Sequence, residues 1–104
     1  MKIQFNTDKN TANDEDFRDR LITMIEESLS RFEDYVTRIE VHLSDENSAK
    51  SGPDDKRCLL EARMESRQPV AVTGQAESYI EAVAKATDKL KVALDSMIGK
   101  MRNR

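Results

Sequence analysis

Long apolar runs, histidines, cysteines and clustered glycines are missing or nearly so from this 104-residue chain, and each shortage closes a class of function. No uninterrupted apolar stretch approaches the ~18 residues that would read as a membrane span. The opening MKIQFNTDKN has no apolar core of the secretory-signal kind. A single cysteine makes no internal disulfide, which agrees with a reducing cytoplasm, the expected location. One histidine and one cysteine make no zinc set. The glycines Gly52, Gly74 and Gly99 stand apart, so no glycine-rich phosphate cradle is available. Aromatic residues make up 5% of the chain, too few for a base-stacking platform.

Charge and periodicity are what the sequence does have. Charged residues make up 36% and hydrophobic ones 38%, a composition that suits one domain over residues 1–104 with a very polar surface. The net charge of −3 is unevenly spread: residues 1–44 carry 6 basic and 10 acidic side chains, residues 45–56 carry 2 and 4, and residues 57–104 carry 9 and 6. A globally acidic protein is a poor non-specific binder of nucleic acid, yet a basic C-terminal helix can still act as a local footprint.

The apolar residues switch period along the chain. Ile3 and Phe5 alternate with Lys2 and Gln4, the pattern of a short strand. From Asp14 the spacing becomes helical through Phe17, Leu21, Met24, Ile25, Leu29 and Phe32, with Asn13 or Asp14 as the N-cap. Residues 37–44 alternate again, Ile39, Val41 and Leu43 inward against Arg38, Glu40 and His42 outward. Residues 57–65 repeat this with Cys58, Leu60, Ala62 and Met64 inward and Arg57, Glu61, Arg63 and Glu65 outward. Val70 and Val72 begin a further strand, with Pro69 at its start, and residues 74–77 are read as the turn into a long helix striped by Ile80, Val83, Leu90, Leu94 and Met101. The expected fold is α+β: a two-layer β-α-β-β-β-α sandwich with a four-stranded mixed sheet. The first two strands run parallel through a helical crossover, and both helices cover one face. The opposite face is left to the charged residues.

Three features invite a chemical reading. Residues 45–56 hold Asp45, Glu46, Asp54 and Asp55, but as an EF-hand the segment fails, with Ala49, Lys50 and Lys56 at the fifth, sixth and twelfth positions. A flexible acidic hairpin loop is the expectation. Cys58 lies on the inward face and the only histidine, His42, on the outward face of a neighbouring strand, so no base is placed to activate a thiol. Glu61 and Glu65 are interleaved with Arg57 and Arg63, a pattern of cross-strand ion pairs rather than of general acid–base catalysis. No catalytic residue, metal site or cofactor is expected.

The element order, with RFEDYVTRIEVHLSDEN at residues 31–47 and ESYIEAVAKATDKLKVAL at residues 77–94, resembles the ribosome hibernation-promoting factor and ribosome-associated inhibitor family, also called sigma-54 modulation proteins. The family's last helix typically carries the pattern met here by Glu77, Tyr79, Ala82, Val83, Asp88, Lys89 and Leu90. The resemblance implies a non-enzymatic translation inhibitor that binds the small ribosomal subunit, rRNA and ribosomal proteins, at the decoding region in stationary phase or stress. It implies no membrane and no small-molecule substrate. Arg31 and Lys89 match positions commonly basic in the family. Arg63, Lys85, Lys91, Lys100 and Arg102 join them as candidate phosphate contacts by sign and expected exposure. The chain departs from the pattern at Ser28 and Val92, where a lysine and an arginine are usual, and at Ala93, Asp95, Ser96 and Met97, where lysines are usual. It shows no C-terminal extension of the kind long members use for ribosome pairing, so that role would fall to another factor. The alternative reading is a protein-binding regulatory module on the same fold, with a basic partner.

Overall fold

A computed structural model of the chain describes residues 1–6, 14–45 and 56–102, Arg102 by its backbone alone. The elements are β1 (Lys2–Phe5), α1 (Glu15–Leu29), a 3-10 turn (Ser30–Phe32), β2 (Arg38–Asp45), β3 (Lys56–Arg63), β4 (Val70–Ala76) and α2 (Tyr79–Arg102). The sheet order is β1-β2-β3-β4, with β1 and β2 parallel and the other two pairs antiparallel. The expected order and mixed sheet are therefore present. Of the 45–56 loop, residues 46–55 lie outside the described residues.

Local chemistry sets the element ends. Asp14 is the N-cap of α1: its carboxylate accepts from the backbone N–H of Asp16 at 2.9 Å and of Phe17 at 3.4 Å. Glu15 and Asp16 in the first turn complement the helix dipole. Ser78 caps α2, its hydroxyl accepting from the Glu81 N–H at 3.2 Å while donating to the Glu81 carboxylate at 3.2 Å. The S-x-x-E spacing is that of a capping box.

Alternation then decides which side chains are buried. Ile39, Val41 and Leu43 of β2 and Cys58, Leu60 and Ala62 of β3 meet Leu21, Ile25 and Leu29 of α1 and Val83, Ala86, Leu90 and Leu94 of α2 in one core. Both helices thus cover the same face. Cys58 is fully buried, and desolvation pushes its thiol up to about 12. It is a core residue and not a nucleophile.

Two expectations need correction. Residues 74–77 are not the turn, because β4 continues to Ala76. Gly74 serves close approach instead: a Cβ there would lie 2.5 Å from the Ala82 carbonyl oxygen and 2.6 Å from the Ala86 amide nitrogen. The missing side chain lets the α2 backbone settle directly on the strand. Residues 64 and 65 also fall beyond β3, which ends at Arg63, so Glu65 sits in the following turn. The open sheet face is less uniformly charged than alternation alone suggests. Leu59 pairs with His42 across β2–β3 and with Thr73 across β3–β4, which puts it among the outward residues, half-buried.

Candidate nucleic-acid interface

Charge on the open sheet face is largely consumed within the molecule. The β2–β3 register sets Arg38 opposite Arg63 and Glu40 opposite Glu61, two like-charged pairs that would repel. Pairing along and diagonally across the strands resolves this. Glu40 takes Arg38 at 2.8 Å and Arg63 at 2.8 Å, Arg63 also reaches Glu61 at 2.7 Å, and Asn6 donates to Glu40 at 2.6 Å. Glu40 points to the open face as alternation predicts, but it is only 9% exposed there, a hub covered by its partners. Burial raises its pKa, but Arg63 and Arg38 outweigh that and leave the carboxyl below its usual range. Arg63, a candidate phosphate contact, is thereby committed to two carboxylates.

Helical spacing divides the exposed surface of α2 into two flanks. Lys85, Lys89, Val92, Ser96 and Lys100 follow one another at three- and four-residue steps, all exposed and none acidic. Val92 is 70% exposed. Lys85 donates to the Gln75 carbonyl at 3.1 Å and Lys89 to the Thr73 carbonyl at 2.9 Å, so both lean over the outer strand β4. These bonds to neutral acceptors leave each ammonium its full charge and further protons to donate.

The other flank, Ala84, Asp88, Lys91 and Asp95, faces α1 and is acidic in balance. A hollow of about 200 Å³ lies there, lined by Met24, Glu27, Ser28, Ala84, Thr87 and Asp88. At its C-terminal side Arg31 forms a two-pronged pair with Asp95, at 2.8 Å and 2.7 Å, with its guanidinium 4.5 Å from the Phe32 ring centroid. Lys91 is half-buried and sits by spacing between Asp88 and Asp95. Arg102 is described by its backbone alone.

Of the seven candidate contacts, the structure therefore brings Lys85, Lys89 and Lys100 onto one exposed flank, pairs Arg31 and Arg63 with acids, and sets Lys91 on the α1 side. Sequence reading missed the Glu40 hub and the Arg31–Asp95 pair. Glu40 carried a signal in the like-charged residues at matching strand positions; Arg31 and Asp95 are 64 residues apart and nothing local links them.

No group of three or more His, Cys, Asp or Glu is placed to hold a metal among the described residues, and no helix there is long and apolar enough to cross a membrane.

Comparison with known proteins places the fold. Residues 9–102 match the family described as sigma 54 modulation protein / S30EA ribosomal protein. No curated protein matches the chain. The fold is similar to the N-terminal domain of Protein Y from Thermus thermophilus, with a TM-score of 0.66 and 18% identity over 92% of this chain and 94% of that one. It is similar also to a ribosomal subunit interface protein from Coxiella burnetii, with a TM-score of 0.69 and 15% identity over 95% and 99%.

Proposed function

Because the chain belongs to the sigma 54 modulation protein / S30EA ribosomal protein family, whose members are ribosome-interface proteins and not enzymes, we propose that it is a cytoplasmic hibernation factor. In this reading it binds the small ribosomal subunit at the decoding region in stationary phase or stress and excludes messenger and transfer RNA. The observation that carries the reading is the flank of α2 where Lys85, Lys89 and Lys100 are exposed together, with Glu81 one turn before Lys85. Ammonium groups on a rigid helix meet backbone phosphates without further ordering, and each phosphate neutralised releases counterions. The acidic remainder of the surface disfavours other docking orientations.

The test is sedimentation of stationary-phase lysate through sucrose at low and moderate salt. The protein should travel with small subunits or whole ribosomes, and Lys89→Glu should release it. A protein that stays at the top of the gradient at low salt rejects the proposal.

The acidic hollow between α1 and α2 favours a second reading, a regulatory module that takes a basic protein. Charge reversal discriminates. Asp88→Lys should weaken the contact with a basic protein and spare contact with rRNA, whereas Lys89→Glu should release rRNA.

A further inference from the structure

Arg31 has the planar fork that binds a phosphate through two parallel hydrogen bonds, and Asp95 already fills that fork. We propose that Asp95 is a built-in competitor for phosphate: it occupies the Arg31 anion site, and RNA gains Arg31 only by displacing it. This rests on the phosphate-binding reading above and adds a determinant of affinity to it.

The geometry supports exchange rather than permanent closure. The Arg31 side chain is 57% exposed and that of Asp95 is 48% exposed, so both stand in solvent and an incoming anion meets no barrier. A carboxylate and a phosphate present the same pair of oxygens to the guanidinium. The Phe32 ring, 4.5 Å from the guanidinium carbon, holds the fork in place whichever anion is bound. Lys91 lies one turn before Asp95 on the same flank, and a phosphate in the Asp95 position would gain this second cation. Glu27, one turn before Arg31, and Asp88 add repulsion. The wild-type site is accordingly set to bind weakly.

The test uses the full chain with purified small ribosomal subunits, and inorganic tripolyphosphate as a second probe. Asp95→Asn keeps the shape and removes the charge. It should tighten subunit binding about 3- to 10-fold near 0.1 M salt and steepen the log–log salt slope by about 0.9, one additional phosphate. Arg31→Gln should cancel the Asp95→Asn gain when the two are combined. With tripolyphosphate, the Arg31 Nε–H resonance should shift further in Asp95→Asn than in wild type.

An Asp95→Asn gain that persists in the Arg31→Gln background would show only removal of a like charge and would overturn the proposal. So would an unchanged slope. If no variant binds subunits, the hibernation reading fails, and tripolyphosphate decides alone: equal Arg31 shifts in both proteins would overturn the competitor role.

Discussion

Gly74 and Gly99 differ in what surrounds them, and opposite effects of the same substitution should follow. At Gly74 an alanine methyl meets backbone atoms of Ala82 and Ala86, which cannot rotate away, so helix and strand must separate. Gly74→Ala should destabilise by about 1–3 kcal/mol, read as a lower urea midpoint. At Gly99 nothing lies within 4 Å of the added Cβ, and the residue is in α2. Gly99→Ala should stabilise by about 0.5 kcal/mol through helix propensity. Glu40 supplies a pH dependence. Its carboxyl titrates below the ordinary value of 4.5 in the folded protein, so the folded state favours the charged form. Stability from this group is fully present above about 4.5 and declines as pH falls through the depressed folded value. Glu40→Gln should lower the thermal midpoint at pH 7, and the difference from wild type should shrink steadily below pH about 4. A difference that stays constant with pH would remove Glu40 from the acid transition.

Among the elements, α2 packs against β3, β4 and α1, and its start is vulnerable. Ser78→Ala removes the acceptor for the Glu81 N–H and should cost about 1 kcal/mol, seen as a drop in the urea midpoint with an unchanged slope. The element order was legible because the period of the apolar residues changes between two and three-and-four at each strand–helix boundary, and the inward residues of β2 and β3 follow from alternation alone. The β4–α2 junction was misread because glycine ordinarily marks a turn, whereas Gly74 answers to a helix backbone packed across it. The site was legible in sign and less so in arrangement. Lys85, Lys89 and Lys100 were named by sign, exposure or resemblance and not set apart from Lys91, and what Arg31 and Arg63 pair with depends on neighbours that only the tertiary fold supplies.

At the scale of the molecule, net charge and local charge oppose each other. The chain carries −3 overall and measures 49 × 25 × 20 Å, so at ~0.01 M salt, where the screening length is ~30 Å, an RNA surface feels both the lysine flank and the acidic remainder. Attraction and repulsion partly cancel at long range. Association with small subunits should therefore change little with salt, within about 3-fold between 0.02 and 0.2 M, while dissociation quickens steeply. Stopped-flow traces at several salt concentrations separate the two rates. A steep fall in the association rate would mean that the lysine flank dominates the distant field.

The lysine bonds to β4 reach further than nucleic acid. β4 ends the sheet, and an end strand with free peptide groups invites another chain to add to it. Lys85 and Lys89, anchored on the Gln75 and Thr73 carbonyls, place two like charges along that border. Two copies approaching border to border would bring four ammonium groups together, a repulsion that opposes edge-to-edge pairing. If the proposed docking holds, the same side chains tie solubility to ribosome binding, and a lineage that lost the lysines would lose both together.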